Sequence, residues 1–317
     1  ELNGQKGVDD DGNGYVDDIY GYNFAKDQGE ITWTDPQDVG HGTHVAGTIA
    51  AVNNNGIGVC GIAGGSGNND GVKIMSVQMF AGRYQTTISR NVDAIYYATN
   101  MGASILQCSW GLKSGVISSD EQYLDERSIE ANAFDHFIKT KRPGSPLNGG
   151  IVIFSAGNET GPCGYPAAYP SVVCVTSLST DFTPSVFTNY GLPADITAPG
   201  GDNNYHKNGN QAGKVLSTVP PIDGLYGYKA GTSMSCPHVS GVAALALSYA
   251  KKLGKTFEPD EFRSMLLASV NDIDSYLTGI KTYIPYTDTD TGIGFDGSME
   301  MADYRGKMGS GMIDAYK

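Results

Sequence analysis

Two short segments far apart in the chain, His41-Gly42-Thr43-His44-Val45-Ala46-Gly47 and Gly231-Thr232-Ser233-Met234-Ser235-Cys236-Pro237-His238, carry the side chains best suited to chemistry. Each sets a reactive group beside glycine or other small residues where a helix should begin, which gives a nucleophile and its base access to a substrate. A serine hydroxyl is a weak nucleophile until a base takes its proton, so Ser233 needs an imidazole within hydrogen-bond reach. His41, with glycine on either side, is the candidate base. His44, one turn on, should face into packed small residues, and His238 is likewise read as structural. His136 and His206 lie in polar surroundings and read as solvated.

The frame for these residues is written in short apolar runs bounded by glycine: Val72 to Met79, Ala103 to Ser109, Ile151 to Ser155, Val172 to Ser177 and Asp195 to Ala198. They read as buried parallel strands. Between them lie helical stretches, Thr43 to Val52, Ser89 to Asn100 and Pro237 to Leu253, the last apolar on nearly every side and therefore buried. Strand and helix alternating in this way predict an α/β fold, a parallel sheet with helices on both faces. Residues 113–149 are more polar and read as an insertion with one helix, Asp120 to Lys139, that decorates the core. Residues 281–305 read as loop, and no linker divides the 317 residues, so residues 1–317 are read as one domain.

Composition narrows the class. Net charge is -13, from 34 Asp and Glu against 21 Lys and Arg. An acidic chain without a Lys/Arg cluster is a poor partner for a phosphate backbone, so no nucleic acid is expected. No apolar run is long enough to span a bilayer, and Glu1-Leu2-Asn3-Gly4 has no signal-peptide pattern, as in a cytoplasmic or a processed protein. Of five cysteines, Cys163 and Cys174 bracket a turn-rich stretch that can bring them together, whereas Cys60, Cys108 and Cys236 read as buried thiols.

Chain order separates the kinds of serine hydrolase. An α/β-hydrolase needs its base well after the serine, but only His238 follows Ser233, five residues on; a trypsin-like enzyme would be all-β. The two segments resemble the histidine and serine motifs of the subtilisin-like serine peptidases. A third, Ser155-Ala156-Gly157-Asn158, resembles the family's oxyanion-hole segment, which implies that Asn158 and the backbone N–H of Ser233 hold the negative oxygen of the tetrahedral intermediate. Lesser matches are Asn53 to Val59 with a calcium loop, Ser109-Trp110-Gly111 with a substrate-binding strand, Tyr165-Pro166 to Tyr169-Pro170 with the edge of the specificity pocket, and Ala198-Pro199-Gly200 with a structural turn. Gly111 and Gly164 would line that pocket and leave room for a bulky apolar or aromatic side chain. The resemblance implies a three-layer αβα fold around a mostly parallel sheet, and a secreted, periplasmic or cell-surface endopeptidase that cleaves peptide or protein substrates without a catalytic cofactor. Two other outcomes stay open: a catalytically silent scaffold of this fold that binds peptides or protein partners, and an esterase.

The family also implies a catalytic aspartate in an Asp-(Ser/Thr/Gly)-Gly context after an early strand. No such segment precedes His41, and Asp38, the nearest aspartate, follows no apolar strand. That strand lies inside the family's sheet, so its loss would leave backbone groups unpaired in a dry core at about 1–3 kcal/mol each. The expectation is a preceding segment, upstream of Glu1, either cleaved and still bound or continuous with the chain.

One further motif is metal chemistry. Asp9-Asp10-Asp11-Gly12-Asn13-Gly14-Tyr15-Val16-Asp17 sets oxygen side chains at alternate positions with glycine sixth, the spacing of a calcium loop. Asp9, Asp11, Asn13 and Asp17, with the carbonyl of Tyr15, are the expected ligands of a structural calcium ion. Carboxylates this close repel one another unless a cation lies between them.

Overall fold

The computed structural model describes residues 4–202, 211, 213–283, 286, 287, 294, 295 and 297–317. Its frame is a six-stranded sheet in the order Val270–Asn271, Met312–Ile313, Ile196–Pro199, Val173–Leu178, Ile151–Ser155 and Ile105–Cys108. All its pairings are parallel except that of Val270–Asn271 with Met312–Ile313. The central strands are the apolar runs of the sequence, and Ile151–Ser155 and Val173–Leu178 are buried along their whole length, as strands covered on both faces must be.

The described residues form five α-helices, α1 (His41–Ala50), α2 (Ile88–Asn100), α3 (Asp120–Lys139), α4 (Thr232–Lys252) and α5 (Pro259–Ala268); α2 to α5 cover the sheet, and α1 packs on α4 and the strand Val215–Thr218. On one face Val239, Val242, Ala243 and Leu247 of α4, with Phe262 and Leu266 of α5, pack on Ile151, Ile153, Val173 and Val175. On the other, Ile95 and Ala98 of α2 and Tyr123, Phe134 and Phe137 of α3 pack on Cys108, Val152 and Phe154. Alternate residues of one strand thus serve two helical layers, and the result is the expected three-layer αβα architecture.

Four differences from the sequence reading have physical causes. The helix read from Pro237 begins five residues earlier, at Thr232, and carries Pro237 inside it. A proline there cannot donate to the carbonyl four residues back, and that carbonyl, on Ser233, accepts instead from Ser109 Oγ at 2.8 Å. The helix Asp120–Lys139 has the expected bounds, but the insertion does not decorate the core. Tyr123, Phe134 and Phe137 are fully buried within it and pack on the sheet, and the helical backbone of α3 is broken once, at Arg127. Residues 281–305 are not all loop, since Ile280–Thr282 pairs with Ser298–Glu300 and Tyr286–Thr287 with Gly294–Phe295. Finally, Val72 to Met79 is extended in a ladder only over Ser76–Gln78, and it pairs with Gly21–Asn23, not with the main sheet.

That last difference leaves two sheet edges open to one slot. Ser76 N–H donates to Tyr20 O and Gln78 O accepts from Phe24 N–H, so the backbone groups of Val77 between them point the other way. Ile151 N–H donates to Ser104 O, and by the same alternation Ile105 and Gln107 present theirs away from the main sheet. Both rows face a cavity of 950 Å³, walled by Met75 to Val77, by Ile105 to Gln107, and by Gly42, Val45 and Ile49 of α1 and Ala244 and Leu247 of α4.

Candidate active site

Ser233 stands at the second position of α4, half-buried and reachable, with Oγ 3.4 Å from the carbonyl of Ser109. The hydrogen bond from Ser109 Oγ to its carbonyl ties this turn of the helix to the end of the Ile105–Cys108 strand. Asn158 comes to the same helix start. Its Oδ1 accepts from Thr232 N–H at 2.9 Å and from Thr232 Oγ at 3.0 Å, which fixes the amide plane and leaves Nδ2 as the donor aimed elsewhere. The loop that carries Asn158 is held by Asn189, which sequence reading missed. Asn189 is fully buried, its Nδ2 donates to Ala156 O and Glu159 Oε2, and its Oδ1 accepts from Glu159 and Gly161 N–H. Gly157 permits the contact, because its φ is +107° and a Cβ there would lie 2.2 Å from Asn189 Nδ2. Only its place before the Gly191 turn marked Asn189 in the sequence, and that is a weak signal.

His41 opens α1 and is half-buried. Burial, with Lys229 and His44 nearby, pushes its pKa down to about 4, so the ring is neutral at pH 7 and able to accept a proton. No carboxylate contributes to that shift. Asp38 Oδ1 accepts from Gly82 N–H at 2.8 Å. His44 is fully buried, with Nε2 3.0 Å from Val215 O and 3.1 Å from Gly227 O, so it binds α1 to the hairpin Val215–Thr218/Tyr226–Lys229. His238 Nδ1 lies 2.7 Å from Met234 O within α4, and His136 is exposed beside Tyr96. His206 lies outside the described residues.

Of the residues expected to bind substrate, Ser109 touches the serine's turn directly through its bond to Ser233 O. Trp110 packs edge-on against Phe154 with centroids 5.0 Å apart. Gly111 and Gly164 line two segments that meet through Leu112 N–H and Tyr165 O at 2.8 Å. A Cβ on Gly164 would sit 2.6 Å from Leu112 O, so this glycine is required by the approach of the two backbones.

A family model for the Subtilase family, Peptidase_S8, matches residues 7–295. This chain belongs to the subtilase family. The subtilase is 35% identical over 237 residues to the major intracellular serine protease of Bacillus subtilis (strain 168), across 73% of this chain and 62% of that one. It is 30% identical over 256 residues to the extracellular basic protease of Dichelobacter nodosus, across 75% of this chain and 36% of that one. Among solved structures it resembles proteases from Pseudoalteromonas arctica PAMC 21717, with 28% identity, a TM-score of 0.60, and coverage of 87% of this chain and 68% of that one. The chain thus spans about one third to two thirds of the length of these curated relatives. Among the described residues no helix is long and apolar enough to cross a membrane.

In the subtilase's Asp9–Asp17 loop the oxygen side chains turn onto the chain itself. Asp9 accepts from the N–H groups of Gly12, Asn13 and Gly14, Asp11 from Asn13 N–H, and Asp17 from Gly7 N–H through both oxygens. Among the described residues no three His, Cys, Asp or Glu side chains converge as a ready metal site. All five cysteines are free thiols. Cys163 and Cys174 are buried and in side-chain contact, whereas Cys60, expected to be buried, is exposed, because its neighbours Asn53 to Val59 form a surface loop.

Proposed function

We propose that this subtilase is a serine endopeptidase. Ser233 Oγ attacks the peptide carbonyl as His41 takes its proton, and a C–O bond forms while the carbonyl oxygen becomes an oxyanion. Asn158 Nδ2 and the N–H of Ser233 stabilise that oxygen. The tetrahedral intermediate collapses, the C–N bond breaks, and His41 returns the proton to the leaving amine; water then hydrolyses the acyl-enzyme by the same route. The observation that carries this reading is the pair of bonds from Thr232 to Asn158 Oδ1, which hold an unused amide donor at the start of the helix that bears the serine. Its test is a fluorophosphonate probe with mass mapping. Labelling confined to Ser233 and abolished by H41A is expected, and an unlabelled Ser233 in protein that cleaves peptides would refute it.

The slot supports a second part of the reading, a bound strand. Open edges with apolar walls suit an extended segment of this or a cleaved chain, running parallel to its neighbours, about 4.8 Å from each, and ending in a carboxylate beside His41. Hydrogen exchange tests this: Val77, Ile105 and Gln107 amides should be protected in active protein. Active protein in which all three exchange at loop rates would exclude the strand.

The Asp9–Asp17 loop is proposed as a structural calcium site, since its donor set is all hard oxygen, and the cleft as the seat of peptide substrates. A secreted or cell-surface setting accords with the extracellular relative and with the proposed need for calcium.

A further inference from the structure

One carboxylate next to the acidic loop is not accounted for by the expected ligand set. Asp18 is 4% exposed. Its Oδ2 accepts from Tyr97 Oη at 2.8 Å and from Asn13 Nδ2 at 3.0 Å, while its Oδ1, equally buried, has no hydrogen-bond partner. A buried carboxylate oxygen left unpaired is costly unless a cation takes it, and none of the ion pairs among the described residues involves Asp18.

The position of Asn13 indicates where that cation belongs. Its Nδ2 stands between two carboxylates, 3.2 Å from Asp11 Oδ2 and 3.0 Å from Asp18 Oδ2. A single amide donor is thus holding together two groups that repel, at the point where a hard divalent ion would hold them better. Asp17 faces away, occupied on both oxygens by Gly7 N–H.

We propose that Asp18, and not Asp17, is the carboxylate that closes the cation site with Asp9, Asp11 and Asn13, and that the ion is calcium. The inference rests on the calcium reading of the loop. Binding turns Asp11 and the Asn13 amide oxygen onto the ion, and the unpaired Oδ1 of Asp18 becomes a ligand. Because Tyr97 of α2 stays on the other oxygen, the ion also clamps the loop to the ring cluster of Tyr15, Tyr22, Phe24 and Tyr97.

Terbium is the probe, since tyrosines this near should sensitise its emission and calcium should displace it. Wild-type protein is expected to bind terbium reversibly, D18N to lose about tenfold or more in affinity, and D17N to change by less than about threefold. D18N binding as wild type does, or D17N losing the tenfold instead, overturns the assignment of Asp18 while the calcium reading survives. Absence of any calcium-displaceable signal in wild type overturns both. Should D18N not fold, N13D decides: a fourth carboxylate there lowers the melting temperature in chelator, and calcium restores it. If calcium leaves that loss in place, the assignment fails.

Discussion

His41 is neutral because it is buried without a counter-charge, and a carboxylate placed beside it would stabilise the imidazolium and raise its pKa. The acid limb of fluorophosphonate labelling should therefore lie near pH 4 while the slot is empty and move up toward about 7 when a carboxylate-bearing strand is seated. A limb at one pH in both forms would mean that the strand brings no charge to the ring. His44 gives a stability effect of its own. Burial, with Lys229 nearby, pushes its pKa down to about 4 although Nε2 faces two carbonyls, and its buried Nδ1 has no partner for a second proton. The unfolded chain takes up that proton first, near pH 6.5, so stability present above that pH is lost as pH falls toward 4, by roughly 3 kcal/mol. Urea midpoints at pH 7.5 and 4.5 measure this, and H44Q should flatten the difference. Replacing Asn158 by Ala should lower kcat by about 10²–10³ with little change in KM, a size borrowed from subtilisin, where removing such a donor has this effect. Similar kcat in N158A and wild type would remove it from the oxyanion site.

Helix α4 shows how one residue sets a site through a missing bond. Pro237 withholds the N–H that would have reached the Ser233 carbonyl, and Ser109 supplies a hydroxyl in its place. S109A should then cost about 1–3 kcal/mol, because a half-buried carbonyl is left without its donor. In a P237A background the cost should shrink, since the helix recovers its own bond; an equal cost in both backgrounds, measured by denaturant unfolding, would sever the link. At this scale the sequence was informative where periodicity and burial agree. The strands Ile151–Ser155 and Val173–Leu178 and the helix Asp120–Lys139 could be read directly. The start of α4 could not, because proline in a first turn normally opens a helix, and the burial of α3 could not, because its exposed face supplies most of its charge. Of the candidate site, Ser233 and His41 were proposed from residue type and setting and Asn158 only through the family resemblance, while Asn189 left no usable signal, since it acts only through four hydrogen bonds made across the fold.

At the scale of the whole molecule, the six-stranded sheet and the two-stranded ladder of Gly21–Asn23 with Ser76–Gln78 share no backbone bonds among the described residues. Exposed strand edges pair with whatever strand is available. Protein with an empty slot should therefore associate as concentration rises, and sedimentation should return to monomer once the slot is filled. Monomer throughout would mean that water satisfies Val77, Ile105 and Gln107 well enough.

The closeness of Gly164 to Leu112 O has a bearing on protein engineering. Any library that randomises position 164 should return glycine almost alone, because every other residue begins with a carbon that meets this carbonyl at 2.6 Å. Position 111 is more forgiving, since a Cβ there stands 3.2 Å from Tyr165 O. Diversity introduced into these two segments should accordingly collect at position 111 and leave its partner frozen.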